Sequence, residues 1–97
     1  MTAREALFQN IPPVIETMGK AEFDSHEFMI KLARDYQSLY VQALNEMESD
    51  TPFQQLHAQI GKQLSRLASL EEIKKNPQHR SKDIFQNESE CALWRRL

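Results

Sequence analysis

The segment from Phe23 to Glu48 constrains the fold most, because residue spacing indicates both where a helix begins and which side is buried. Asp24 can cap a helix, and Glu27 three residues later completes a capping box. Phe23 before the cap and Phe28 at the fourth helical position have the spacing of a hydrophobic staple. The segment therefore predicts a helix that begins at Asp24 and continues to about Glu48.

Apolar residues recur along this segment at the three- and four-residue intervals of one helical face: Phe28, Leu32, Tyr36, Leu39, Tyr40, Ala43, Leu44 and Met47. The face is broad, so we expect it to pack against two neighbours. About 25 helical residues would span roughly 37 Å, which is long for a chain of 97 residues. We therefore expect either a kink near Gln37-Ser38 or a projecting end that contacts another molecule.

Two further helix starts are indicated. Thr51, Pro52 and Gln54 suit the cap, the first helical position and the reciprocal capping partner of a helix. Ser69 resembles another cap, so residues 52–75 are either one bent helix or a helix followed by a short one over 70–75. Gly61 lies inside this region, where it could permit a close crossing by another helix.

The N-terminal segment predicts two short helices that share one buried side. Thr2 and Glu5 fit a capping box, and the pair Pro12-Pro13 interrupts the apolar pattern. We expect the break at Asn10 or Ile11.

The last fifteen residues are ambiguous. Asn87 could cap a helix over 88–96, whose Ala, Leu, Glu and Arg residues favour a helix. The alternative is a hairpin with strands at 83–86 and 91–95. We expect a mainly α fold in a single domain over 1–97: four to five helices in a small orthogonal or bundle-like packing around the long helix at 24–48. In that fold, residues 83–97 form either a short helix or a small β-hairpin.

No pattern indicates catalysis. His26, His57 and His79 are far apart in sequence, and Cys91 is the only cysteine, so no zinc spacing is present. Two isolated glycines cannot form a phosphate-binding loop. We therefore predict no catalytic residue, no metal site and no cofactor, and expect a protein that is not an enzyme.

The uninterrupted apolar runs are too short for a membrane span, which needs about 20 residues. The start, Met1-Thr2-Ala3-Arg4-Glu5, lacks the pattern of a signal peptide. A lone cysteine fits a reducing compartment. The sequence thus favours a cytoplasmic protein without a membrane partner.

Charge is unevenly divided between the two halves of the chain. Residues 1–50 contain four Lys/Arg against nine Asp/Glu, whereas residues 51–97 contain eight against five. The positive charge is concentrated in one stretch, which makes nucleic acid a candidate partner. Its basic residues, the predicted phosphate contacts, are Lys62, Arg66, Lys74, Lys75, Arg80 and Lys82.

The leading functional prediction is a binding module that contacts a protein partner or a second copy of itself through helical surfaces. Its predicted contact residues are Tyr36, Tyr40, Trp94 and Arg95, since aromatic and arginine side chains are common interface anchors.

The alternative is nucleic-acid binding through the basic C-terminal half. Two helices joined near Ala68-Ser69 and followed by a hairpin would resemble a winged helix-turn-helix arrangement. Ala58 and Gly61 depart from the usual helix-turn-helix spacing, and a short helix over 70–75 would be a poor groove reader, so no family is assigned.

Overall fold

The computed structural model describes residues 1–70 and 73–96, apart from the side chains of residues 77 and 78. Within these residues the chain forms five helices and three strands. In chain order they are α1 (Ala3–Gln9), α2 (Ile11–Glu16), β1 (Glu22–Asp24), α3 (Ser25–Asp35), α4 (Gln37–Asn45), α5 (Pro52–Ser69), β2 (Ile73–Lys82) and β3 (Glu88–Arg96).

The prediction of a mainly helical packing is wrong, because the fold is α+β. The strands form one antiparallel sheet in the order β1-β3-β2. The hairpin of β2 and β3 takes up almost all of residues 73–96, so the helix over 88–96 does not exist. Of the predicted short helix over 70–75, residues 73–75 are strand, and residues 71 and 72 lie outside the described residues. The position of the alternative hairpin over 83–97 is also wrong, since residues 83–87 form the turn rather than a strand.

Asp83 explains the position of this turn. Its Oδ1 accepts hydrogen bonds from the backbone N–H groups of Phe85 at 2.8 Å and Asn87 at 3.0 Å. Gln86 adopts a left-handed backbone with φ of 67°. A short Asx-type turn of this kind competes with helix and joins two strands.

The predicted long helix at 24–48 is two helices. The chain leaves helical geometry at Tyr36, where φ is −130° and ψ is 52°. The broad apolar face predicted for this segment packs inside the molecule: α3 packs on α2 and β3, while α4 packs on α1 and α5. Glu46, at the end of α4, accepts the backbone N–H groups of Ala3 at 2.8 Å and Arg4 at 3.1 Å, and thereby caps α1.

The start of α3 is confirmed. Asp24 Oδ1 accepts the Glu27 N–H at 2.7 Å, and Glu27 Oε1 accepts the Asp24 N–H at 3.4 Å, which completes the capping box. The rings of Phe23 and Phe28 lie 5.8 Å apart between centroids. The two short N-terminal helices are also confirmed, with their break at Asn10.

Helix α5 is a single unbroken element that ends at Ser69. It begins at Pro52 as expected, but Thr51 makes no side-chain capping bond. Leu56, Ile60 and Leu64 form its fully buried stripe. A Cβ added to Gly61 would meet nothing within 4 Å, so no helix crosses there.

Helices and strands together enclose one core. Its largest fully buried side chains are Trp94, Phe23, Phe28, Leu7, Ile11, Leu32, Leu56, Ile60, Leu64 and Val14. Trp94 lies on the central strand β3, opposite Phe23 of β1 and Lys75 of β2. In the described part of the chain, no helix is both long enough and apolar enough to span a bilayer.

Candidate functional site

Helix α5 presents a polar face that carries no negative charge. The chain contains 14 Asp and Glu residues, yet none lies between Pro52 and Ser69. Because Leu56, Ile60 and Leu64 occupy the core side, the opposite side points to solvent. Its exposed residues are Gln54, Gln55, Ala58, Lys62, Arg66 and Ser69. This helix therefore offers amide, hydroxyl and cationic groups with no carboxylate among them.

Neighbouring elements flank this face without covering it. On one side, Arg4 of α1 donates to the Gln59 side-chain oxygen at 3.3 Å. On the other side lies the hairpin, which contacts α5 near both ends. Lys75 donates to Ser65 Oγ at 3.3 Å, and Phe85 packs edge-on against Phe53 with centroids 5.1 Å apart.

Lys75 extends the positive surface of α5. Its ammonium lies 5.5 Å from the centroid of the Trp94 ring, a cation–π distance that holds the side chain between the sheet and the helix. Ser65, its hydrogen-bond partner, follows Lys62 by three positions and precedes Arg66. We call the exposed face of α5, together with Ser65 and Lys75, the α5 surface.

The structure brings together three of the six basic residues predicted to contact phosphates, namely Lys62, Arg66 and Lys75. Lys74 is the cross-strand partner of Arg95 and, as a neighbour of Lys75, points to the opposite face of the sheet.

The other two predicted phosphate contacts lie beside carboxylates. The Arg80 guanidinium lies 3.5 Å from a Glu88 carboxylate oxygen and 3.7 Å from one of Glu90. Lys82 is the cross-strand partner of Glu88. Positive charge in this part of the hairpin is therefore locally balanced.

The four predicted protein-contact residues do not form one surface. Trp94 is 1 % exposed and Tyr40 is 7 % exposed, whereas Tyr36 is half-buried at the helix break. Arg95 is exposed and donates to Glu22 Oε1 through Nη2 at 2.6 Å and Nε at 3.1 Å. The large apolar residues that are exposed in the described chain, Met1, Val41, Leu70 and Phe85, lie on different segments.

Tyr40 and His57 form a polar contact behind α5. The Tyr40 hydroxyl lies 2.6 Å from His57 Nε2. Burial raises the pKa of Tyr40 to about 12 and lowers the pKa of His57. For His57, the nearby Asp83 carboxylate opposes that lowering, and His26 adds to it. The contact holds α4 against α5 and faces the core.

A second polar group lies where the start of α3 meets the hairpin. Asp24, His26 and Cys91 each place a possible ligand atom within 4.8 Å of the others. His79 Nε2 lies 3.2 Å from Asp24 Oδ2. These residues lie far apart in sequence: His79 and Asp24, for example, are separated by 55 positions. Sequence spacing therefore could not reveal this group. Only a correct register for the hairpin would have done so.

Two surface depressions on the described part of the molecule each include one residue of the α5 surface, Lys75 in the first and Arg66 in the second. One, of about 220 Å³, lies by the sheet residues Glu22, Lys74 and Arg95, and the other, of about 240 Å³, lies between Phe8 and Arg66. Tyr40 and His57, whose pKa values are shifted, line neither of them.

Comparison with known proteins adds no assignment: no family model, curated protein or solved structure matches this chain.

Proposed function

We propose that this protein binds double-stranded DNA through the α5 surface. The observation that carries the proposal is an 18-residue helix without an acidic side chain, in an acidic protein, with its cations and amides exposed. A face selected only for solubility would be expected to mix both signs of charge. Carboxylates on a face that approaches phosphates would repel them.

The chemistry of the α5 surface suits a DNA groove. Lys62, Arg66 and Lys75 supply the positive charge that displaces counterions from phosphates. Glutamine side chains can pair with the edge of adenine in the major groove, which is about 12 Å wide and admits a helix. Gln54 and Gln55 lie about two helical turns before Lys62 on the exposed side. An 18-residue helix spans roughly 27 Å, enough to lie along the groove.

The order of elements supports the same function. This order of elements resembles a winged helix-turn-helix arrangement. Strand β1 lies between helices in the chain, α5 follows, and the hairpin of β2 and β3 ends with the central strand β3. In that comparison α5 takes the position of the recognition helix. Because α5 runs unbroken to Ser69, the groove reader would be this long helix rather than a short segment over 70–75.

Acidic residues limit where the contact can lie. Glu48 and Asp50 are exposed immediately before α5. They would repel phosphates near the start of the helix. The phosphate contacts should therefore centre on Lys62 and Arg66, with Lys75 beside them at Ser65, whereas Gln54 and Gln55 are the residues that would face base edges.

The test compares two variants that lose the same charge from different places. Lys62→Gln/Arg66→Gln/Lys75→Gln removes three cations from the α5 surface, and Lys74→Gln/Arg80→Gln/Lys82→Gln removes three from elsewhere. Binding to a labelled pool of random-sequence duplexes is measured by fluorescence anisotropy over a series of salt concentrations, with circular dichroism as the check on folding.

We expect the slope of log affinity against log salt to be less negative by about 2.7 in the α5-surface variant, because each phosphate that the protein neutralises contributes roughly −0.9 to this slope. The matched variant should keep the wild-type slope. If the wild-type protein binds no duplex at low salt, or if both variants show the same decrease in affinity and slope, the proposal is wrong.

A further inference from the structure

We propose that Asp24, His26, His79 and Cys91 bind a divalent transition metal ion of the zinc class. Carboxylate oxygen, imidazole nitrogen and thiolate sulfur are the donors that Zn²⁺ takes in proteins. The site joins three separate elements, since the residues come from the start of α3 and from both strands of the hairpin. It is independent of the α5 surface.

Asp24 has one carboxylate oxygen available as a ligand. Asp24 is 3 % exposed, and its Oδ1 caps α3 by accepting the Glu27 N–H. Oδ2 instead lies 3.2 Å from His79 Nε2. The same residue can therefore cap the helix with one oxygen and bind an ion with the other.

His26 is held at both ring nitrogens. Nδ1 lies 2.8 Å from Ser81 Oγ, which is itself 3.6 Å from Cys91 Sγ, so this nitrogen is on the side of the thiol. Nε2 lies 3.3 Å from Ser89 Oγ. When Nδ1 binds a metal, Nε2–H can donate to Ser89, the outer contact that metal-bound histidines usually have. The Ser81 hydroxyl would give up its place to the ion.

The hairpin register brings the other two ligands together. A β-bulge between Asn76 and His79 places His79 directly opposite Cys91. Directly opposed residues in an antiparallel pair have side chains on the same face, with Cβ atoms about 5 Å apart. Cys91 is half-buried, and its Sγ lies within 4.8 Å of a ligand atom of Asp24 and of His26. His79 contacts the Asp24 carboxylate.

Charge fits a four-coordinate ion, and distance fits three of its ligands, Asp24, His26 and Cys91, while His79 is placed beside them by its contact with Asp24 Oδ2. Asp24 and a Cys91 thiolate would balance a charge of 2+, with the two histidines neutral. Donors at roughly 2.0–2.3 Å from zinc stand about 3.3–3.8 Å from one another in a tetrahedron. The observed limit of 4.8 Å for Asp24, His26 and Cys91 thus requires a closure of about 1 Å, within reach of side-chain rotation.

The test uses the whole chain, freed of metal with a chelator and titrated with Co²⁺ and then Zn²⁺. We expect one equivalent of Co²⁺ to bind with the tetrahedral visible bands and the near-ultraviolet thiolate charge-transfer band, and Zn²⁺ to displace it. Zn²⁺ should also raise the melting temperature of the wild-type chain.

Three variants identify the ligands. Cys91→Ser should abolish the charge-transfer band, and His79→Asn should weaken metal affinity by at least about tenfold. His57→Gln, which changes a histidine outside the site and keeps a polar group beside Tyr40, should bind like the wild type. Circular dichroism shows that each variant is folded. His79 is one-third exposed and so is the substitution least expected to disturb folding.

Two results would overturn the proposal. One is a wild-type chain whose absorption and melting temperature do not respond to either ion, which would mean that the residues form only a hydrogen-bonded network. The other is a folded His79→Asn or Cys91→Ser variant that binds as tightly as the wild type. If Cys91→Ser does not fold, the wild-type spectrum and His79→Asn decide the question.

Discussion

Replacing Trp94 by alanine should remove a large part of the stability of this protein. Trp94 is 1 % exposed on the central strand, between Phe23 on one neighbouring strand and Lys75 on the other. Its Nε1 donates to Ser25 Oγ at 2.9 Å, in the first turn of α3. The Trp94 side chain thus connects the sheet to the start of α3 and also contacts the Lys75 ammonium.

The magnitude follows from burial. Truncating a fully buried aromatic side chain to alanine costs about 3–5 kcal/mol, which includes the cavity that remains. Domains of this size have unfolding free energies of roughly 5–15 kcal/mol, so Trp94→Ala should remove at least about a fifth of the stability. Trp94→Phe keeps most of the volume and loses the bond to Ser25, at a cost of about 1–2 kcal/mol.

Urea unfolding should be followed by far-ultraviolet circular dichroism, because Trp94 is the only tryptophan and the alanine variant has no indole fluorescence. Phe85→Ala is the matched control, since this aromatic residue is 55 % exposed. We expect it to cost less than about 1 kcal/mol. If Trp94→Ala costs no more than Phe85→Ala, then Trp94 is not a core residue, and the prediction that it anchors a partner becomes the better one.

Two further predictions concern single residues in or near α5. Gly61→Ala should stabilise the fold by about 0.5–1 kcal/mol in thermal or urea unfolding, because the position is helical and an added Cβ meets nothing within 4 Å. Gly19→Ala, at φ of +76°, is the control and should destabilise the fold. The reasoning fails if Gly61→Ala also destabilises it. Burial raises the pKa of Tyr40 from 10.0 to about 12, so the unfolded chain loses this proton first and stability should fall as pH rises through that range. The fall from Tyr40 should be about 2–3 kcal/mol; Tyr40→Phe should remove it, and an unchanged alkaline pH profile would contradict the assignment.

Two signals that span only a few residues predicted their structure correctly. The capping box at Asp24 and Glu27 and the break at Asn10 depend on contacts three or four positions apart. Such contacts form wherever the rest of the chain lies, so sequence spacing is enough to place them. The break at Tyr36 lies next to the kink that was expected near Gln37-Ser38. That expectation came from the length of the predicted helix and not from a local signal, because neither proline nor glycine marks the break.

The C-terminal strands could not be predicted in the same way. Residues 88–96 have helix-forming composition, but they are held as a central strand by pairing with β1 and β2. Pairing with β1 joins Phe23 to Trp94, a contact that no local pattern indicates. Tertiary pairing of this kind overrides intrinsic propensity, which amounts to less than about 1 kcal/mol per residue. The Asp83 turn that joins the two strands is held by local hydrogen bonds to Phe85 and Asn87.

The hairpin also determines how much of each site the sequence could indicate. The exposure of Lys62 and Arg66 follows from the helical periodicity of α5, and that part was predictable. Lys75 joins them only because β2 runs back along α5 and contacts Ser65. Four residues later on the same strand, His79 faces the start of α3 instead, because the bulge after Asn76 changes the register. A single irregularity in β2 therefore separates a lysine that serves the α5 surface from a histidine that serves the Asp24 cluster, and no spacing rule applied to the sequence could have assigned the two residues to different sides.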